Sequence, residues 1–336
     1  MSPAVNKQQS GEERLIGRYF APLAKHPGAF GLSDDAAVIE PPAGCDLVLK
    51  TDGIIGGVHF FPDDPPDTVG KKALRVNLSD LAAKGARPLG FLLTLALPKE
   101  IGDDWLAPFA RGLGADAETF GCPLLGGDTD RTPGPITISI AMFGAVPHGQ
   151  MLRRSGAKPG DRIVVTGTIG DAALGLKLRR DPDCARRWDL GERERDRLRD
   201  RYLVPQPRNA IAEALRRHAS AAMDISDGLA GDLAKLCSAS GVAAEVGAAR
   251  VPISEAARTA LAKEPVLTET ILTGGDDYEV LACVPMDRVE PLRREAAAAD
   301  VAVTEIGAVN VGEGTAMFLD AKGKPLAFAQ ASYSHF

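Results

Sequence analysis

Two α/β domains with mixed sheets are predicted for this chain, and three observations predict them. At 336 residues the chain is longer than one ordinary domain, so two hydrophobic cores are expected. Strand-like apolar runs alternate with helix-period segments along most of its length, the pattern of α/β layering. A polar, turn-rich stretch, Arg153-Arg154-Ser155-Gly156-Ala157-Lys158-Pro159-Gly160-Asp161, interrupts both patterns near the middle and marks the boundary. The division is drawn at 1–150 and 151–336.

Each element has its own signal. Residues 12–20 read as a leading helix, and 36–39 and 46–51 as two strands joined by the Pro41-Pro42-Ala43-Gly44 turn. Over 67–84 the apolar residues Val69, Ala73, Val76 and Leu81 recur at helical spacing, and Gly85 with Pro88 beyond it ends the helix. Residues 91–97 and 136–146 are strand-like, bracketing a helix over 105–120 and a Gly126-Gly127-Asp128 turn. After the boundary, a strand over 162–166 passes through Gly167 into a helix over 171–178. Asp227 opens another helix with Leu229, Leu233 and Leu236 on one face, and strands at 279–284, 303–306 and 316–319 complete the second domain.

Composition removes several classes of function. A net charge of −6 and a pI of about 5.5 argue against a nucleic-acid partner, whose phosphates are bound by clustered Lys and Arg. The basic run over 179–201 is interleaved with Asp and Glu and reads as a solvated helix face. The five cysteines contain no Cys-x-x-Cys pair, so each is expected to be a small buried hydrophobe in a reducing, cytoplasmic setting. The longest apolar run, 91–97, is too short to span a bilayer.

Acid recurs beside glycine or serine in short clusters: Ser33-Asp34-Asp35, Thr51-Asp52-Gly53, Asn77-Leu78-Ser79-Asp80, Gly126-Gly127-Asp128-Thr129-Asp130, Asp224-Ile225-Ser226-Asp227-Gly228 with Asp232, and Gly274-Gly275-Asp276-Asp277-Tyr278-Glu279. Carboxylates ligate hard cations such as Mg²⁺, and small residues let backbone N–H groups approach phosphate. Singly, each cluster also fits a helix cap or a turn, and Asp227 could merely cap its helix. Jointly they read as a metal-dependent, phosphate-handling enzyme, because Asp35, Asp52, Asp80 and Asp128 adjoin apolar segments expected to hold them near the core, where unpaired charge is disfavoured.

The common nucleotide signatures are absent: there is no Walker loop, no dinucleotide fingerprint and no kinase catalytic loop. Thr166-Gly167-Thr168-Ile169-Gly170-Asp171 has the wrong spacing and reads as a plain strand-to-helix turn. No His/Cys arrangement supports zinc. His59, among Gly56, Gly57, Phe60 and Phe61, reads either as a substrate contact on a flexible pocket wall or as a structural residue.

In order along the chain, the blocks at 33–37, Lys50-Thr51-Asp52, His59-Phe60, 72–86, 126–129, 154–161, 223–229, 274–279 and Tyr333-Ser334-His335-Phe336 resemble the thiamine-monophosphate kinases. These belong to a superfamily with aminoimidazole ribonucleotide synthetase, selenophosphate synthetase and a hydrogenase maturation factor. Two blocks depart from the family pattern: Ser33 stands where glycine is usual, and Asp276 where glutamate is usual.

The resemblance implies that ATP phosphorylates thiamine monophosphate with several Mg²⁺ ions. By position, Asp35, Thr51, Asp52, Asp80, Asp128, Asp224 and Asp227 would bind metal, with Asp52 and Asp227 the expected catalytic acids. Lys50, Gly127, Asp128, Arg154 and Ser226 would contact ATP. His59, Asp276 and Tyr333 would face thiamine phosphate, Tyr333 by stacking on its cationic ring or else by packing the tail. The resemblance also implies a homodimer that pairs N-terminal sheets, with the active site in the interdomain cleft. Two other readings stay open, a different ATP-dependent synthetase of the superfamily and a non-catalytic ATP-binding maturation factor.

Overall fold

Residues 11–333 are described by the structure, a computed structural model. They form two units, one made of 11–43, Leu49–Asn77 and Pro88–Gly144, the other of Gly44–Val48, Leu78–Arg87 and 145–333. Ser334, His335 and Phe336 of the terminal block lie outside the described residues.

In the first part of the chain, α1 (Gly11–Leu15) continues as a π-helical turn through Phe20, burying Tyr19 and Phe20. There follow β1 (Cys45–Ile55), α2 (Pro66–Ala83), β2 (Arg87–Leu97), α3 (Asp103–Thr119), β3 (Leu124–Arg131) and β4 (Thr137–Pro147). The four strands make one sheet in the order β1-β4-β2-β3, with β2 and β3 parallel. In β4 the period is two: Ile138, Ile140 and Met142 are buried, while Ser139, Ala141 and Phe143 are half-exposed.

The second part contains β5 (Arg162–Thr166), α4 (Asp171–Arg180), α5 (Cys184–Arg187), α6 (Glu192–Leu203), α7 (Ala212–His218), β6 (Ala221–Ile225) and α8 (Leu229–Ser240). Then come β7 (Ala243–Gly247), α9 (Glu255–Lys263), α10 (Leu267–Thr273), β8 (Glu279–Val284), α11 (Val289–Ala298), β9 (Val303–Asn310) and β10 (Thr315–Leu319). The sheet order is β10-β7-β9-β5-β8-β6, with β10 and β7 parallel and the other pairs antiparallel. One core cluster joins Ile163, Val165, Met223 and Leu281 to Leu229, Leu233 and Leu236 of α8, and another joins Val164, Val280 and Ala282 to Leu215 and Leu292. Strands covered on both faces read as continuous apolar runs, as β8 does from Val280 on, while fully buried β6 carries Asp224 within it.

Four expectations are corrected. Residues 36–39 are not a strand; the Val38 N–H goes to the carbonyl of Gly28, and no ladder forms. Gly126-Gly127-Asp128 is not a turn but the middle of β3. The run over 179–201 is not wholly solvated: Arg201 is buried against Glu279, because a carboxylate with no access to water needs a cation beside it. Cys122, Cys184, Cys237 and Cys283 are buried but Cys45 is only half so; burial pushes the Cys122 thiol up to about 12 and Cys237 up to about 11. Among the described residues no helix is long and apolar enough to cross a membrane.

Candidate functional site

Two groups of acids are assembled, one in each unit. In the first, Asp34 and Asp35 sit in the irregular segment before β1, where the Asp34 carboxylate accepts the N–H of Asp35 at 2.8 Å. With Gly126, Gly127 and Asp128 of β3 they line one cavity of about 840 Å³, a size that suits a small-molecule ligand. Leu92, Ala141 and Phe143 give it apolar walls. A Cβ on Gly127 would stand 1.9 Å from the Leu93 carbonyl oxygen. Only glycine therefore lets β3 approach β2 in this register, which sets Asp128 opposite Thr94. Asp35 and Asp128 are exposed rather than held near the core, because Asp35 sits in a loop and Asp128 on β3, an edge strand of its sheet.

On β1 the pleat puts Lys50 and Asp52 on one face and Thr51 on the other. The Lys50 ammonium is 3.1 Å from the Asp52 carboxylate, and the Asp52 N–H donates to Oδ1 of buried Asn77 on α2 at 2.9 Å. Neither Lys50, Thr51, Asp52 nor His59 lines the cavity. His59 closes a tight turn: its N–H bonds the Ile55 carbonyl, and its ring Nδ1 accepts the Ile55 N–H at 3.0 Å. The neutral ring therefore carries its proton on Nε2. Buried Lys72 donates to the His59 carbonyl at 3.0 Å, so this turn is tied down rather than loose.

The second group surrounds the end of β6. Asp224 is buried in that strand, and Ser226 and Asp227 form the turn into α8. Asp227 does not cap the helix. Gly228 occupies the N-cap position at φ 115°, and the Asp232 carboxylate, buried one turn further on, accepts the N–H groups of Ser226 and Asp227 at 3.0 and 2.9 Å. Burial raises the pKa of Asp232, and bonds from Lys235 and the Asp227 N–H oppose that rise. Sequence reasoning placed Asp232 beside this cluster without a role; its signal was an acid inside an otherwise apolar helix face.

The segment before β8 is strapped onto the same turn. The N–H of Asp276 donates to the Ser226 carbonyl and that of Tyr278 to the Ile225 carbonyl, each at 2.8 Å. Asp276 and Tyr278 both take left-handed backbone, φ 71° and 51°, a conformation that costs about 1 to 3 kcal/mol for such residues and persists only where the surroundings impose it. The surroundings are explicit. Both oxygens of buried Asp277 accept the Gly170 N–H, and buried Glu279 accepts from Thr166, Arg201 and Arg208. Burial pushes the Asp277 carboxyl well above the usual carboxylate range, against the pull of that N–H and of Arg201. The Gly170 N–H is thus committed to Asp277 and is not open to a phosphate.

Tyr333 joins the group through its backbone, its N–H donating to the Asp227 carbonyl at 2.9 Å while its side chain stays exposed. Ser226, Asp227, Asp276 and Tyr333 are thus neighbours. Arg154 is exposed on the boundary stretch, which Ser240 pins by donating to the Arg154 carbonyl and accepting the N–H groups of Gly156 and Ala157. Asp80 is half-exposed on the last turns of α2, next to Ser79, whose hydroxyl lies 3.4 Å from the Tyr278 carbonyl. Among the described residues no three His, Cys, Asp or Glu side chains cluster closely enough to hold a metal ion by themselves.

Packing of the strap yields a test. A Cβ at Gly275 would stand 2.5 Å from the Ser226 carbonyl oxygen. Gly275→Ala is expected to push the strap away from Ser226 and break the bond from the Asp276 N–H, lowering the thermal midpoint by about 2 to 4 °C for each kcal/mol lost. An unchanged midpoint would show that the strap takes the methyl group without moving.

Residues 33–146 match the family model described as AIR synthase related protein, N-terminal domain, and residues 158–320 match AIR synthase related protein, C-terminal domain. Thiamine-monophosphate kinase of Caulobacter vibrioides is 40% identical over 324 residues, covering 95% of this chain and 89% of the relative. That of Salmonella typhimurium is 39% identical, covering 97% and 98%. Among solved structures, thiamine-monophosphate kinase from Stenotrophomonas maltophilia superposes with a TM-score of 0.79 at 39% identity, covering 88% of this chain and 91% of the other. A structure named AaThiL complexed with AMPPCP and TMP gives 0.77 at 31%, covering 92% and 97%. The hydrogenase maturation protein HypE of Escherichia coli reaches 0.76 at only 20% identity, covering 94% and 97%, and so shares the fold alone. Nearly full-length identity to kinases, against a bare likeness of fold to the maturation factor, decides between the readings that the acid clusters left open: this chain belongs to the thiamine-monophosphate kinase family.

Proposed function

We infer that the chain transfers the γ-phosphoryl group of ATP to thiamine monophosphate, giving thiamine diphosphate and ADP. The observation that carries this is the match at 31% identity across 92% of the chain to a protein complexed with AMPPCP and TMP, AMPPCP being an ATP analogue whose γ-phosphoryl cannot be transferred. A phosphate oxygen of the substrate attacks the γ-phosphorus, and the bond to the β-phosphate oxygen breaks. That nucleophile is already ionised near neutral pH, so no protein base is needed. The obstacle is charge, since two polyanions must meet among carboxylates.

Mg²⁺ suits the donors present. They are carboxylates and hydroxyls without thiolate or imidazole, and Mg²⁺ is held through one or two carboxylates with water and phosphate completing its shell, so a closed protein cage is not required. When bound, it neutralises the phosphates and aligns them for in-line transfer. We assign its binding to Asp35, Thr51, Asp52, Asp80, Asp128, Asp224 and Asp227, with Asp52 and Asp227 the most sensitive. Lys50, Gly127, Asp128, Arg154 and Ser226 serve ATP. The apolar wall beside Asp35 and Asp128 supports placing the nucleotide in that cavity.

His59, Asp276 and Tyr333 are assigned to thiamine phosphate. The family resemblance supports one site drawing on both domains, and a homodimer pairing its N-terminal sheets. Exposed Leu47 and Leu49 on β1 support that dimer, and sedimentation at twice the protomer mass is its check. The free cysteines support a cytoplasmic location.

An assay coupling ADP release to thiamine monophosphate and Mg-ATP tests the reaction, and no turnover with intact, folded protein would overturn it. His59 separates binding from acid–base chemistry. His59→Ala is expected to raise KM for thiamine monophosphate more than it lowers kcat, and both proteins should lose kcat at acidic pH as the acceptor phosphate is protonated. A kcat loss of about a thousandfold, with disappearance of a titration near pH ~6.5, the reference value for histidine, would make His59 a base instead.

A further inference from the structure

Lys235 lies on α8 two turns beyond Asp227, and the mechanism inferred above gives it no role. Its ammonium is 2.6 Å from Asp227 Oδ2 and 2.9 Å from Asp232 Oδ1. Asp232 is fully buried and bonded to two backbone N–H groups, so the lysine is held on one side by a carboxylate tied to the backbone. The Asp227 carboxylate is only partly buried, 35% exposed, and it can exchange partners.

We propose that Lys235 is a resident counter-ion for Asp227, an internal cation that holds the carboxylate until a divalent cation displaces it. The proposal rests on the reading of Asp227 as a cation ligand. Its chemistry is competition: a divalent ion reaching Asp227 breaks one ion pair, while the ammonium remains on Asp232. The device keeps the acidic turn folded before substrates arrive and weakens cation binding in their absence. Lys235 acts through Asp227 and is a positioning residue.

The test is titration of nucleotide-free protein with Mn²⁺, the free ion being measured by its electron paramagnetic resonance signal. Lys235→Met is expected to bind the Asp227-dependent ion about fivefold more tightly at low ionic strength, the scale of a partly exposed ion pair. The gap should narrow as salt screens the pair. Lys235→Arg should restore wild-type affinity, and Asp227→Asn should abolish the effect of removing the lysine. Equal or weaker Mn²⁺ binding by folded Lys235→Met would overturn the proposal. If Asp227→Asn binds as many ions as wild type, the cation role of Asp227 itself fails, a separate result. Should Lys235→Met not fold, Lys235→Gln, which keeps a donor to Asp232, is read in the same way.

Discussion

Asp227→Asn, and separately Asp52→Asn, are expected to lower kcat by a hundredfold or more while the circular dichroism spectrum stays unchanged. The size follows from the proposed role: a carboxylate that holds a cation against the reacting phosphates contributes most as their charge is redistributed. A hundredfold loss is about 2.7 kcal/mol of transition-state stabilisation. The fold should survive because each side chain pairs with a partly exposed lysine, Lys50 or Lys235, and such a pair adds little to stability. Asp52 enters the packing through its N–H to Asn77, which the amide variant keeps. At Asp227 the N–H to Asp232 and the carbonyl to Tyr333 are also backbone contacts, and Lys235 retains Asp232. Loss of structure in both variants would show that these acids are structural, and folded variants with wild-type kcat would remove them from the chemistry.

Asp224 contrasts usefully with this pair. Its side chain is buried inside β6, so a fall in activity on its replacement would mix lost chemistry with altered packing. Acids that are only partly buried report chemistry more cleanly, which is why Asp52 and Asp227 carry the prediction.

How far the fold and site could be read from the residues depended on what each signal measures. β8 runs over Glu279–Val284 and β5 over Arg162–Thr166, as expected, because a strand covered on both faces is simply an apolar run with polar ends. Residues 36–39 are a similar apolar run that forms no strand, since pairing depends on a distant partner that local sequence does not specify. Gly126-Gly127 carries the signature of a turn, yet it marks where two strands come too close for a side chain. Asp276 and Asp277 adjoin in one acidic block of the sequence. In the structure they divide, one half-exposed beside Ser226 and the other buried on Gly170, because successive residues leave a strained turn in different directions. The counter-charges were the least legible: Arg201 and Arg208 lie 78 and 71 residues from the Glu279 they pair with.

Removal of divalent cations should have the largest effect: no turnover in excess EDTA, and full recovery on adding Mg²⁺ beyond the chelator. The acids leave little alternative. Among the described residues, Asp34, Asp35 and Asp128 line one cavity whose lining contains no Lys or Arg, and Asp224, Asp227, Asp232 and Asp276 gather at one turn, where Lys235 pairs with two of them. Two unit charges about 4 Å apart repel by about 4 kcal/mol at an effective dielectric near 20, and ATP with thiamine monophosphate adds several more negative charges. One ammonium cannot offset that sum. Because the acids differ in exposure, Mn²⁺ should substitute for Mg²⁺ through the same hard oxygen donors, whereas Ca²⁺, larger and looser in coordination, should support binding but turn over poorly. Turnover measured as thiamine diphosphate formed, with each ion added to the same EDTA-treated protein, decides the matter. Undiminished activity in excess EDTA would mean that the carboxylate clusters do not work through a cation and that the charge problem is solved in some other way.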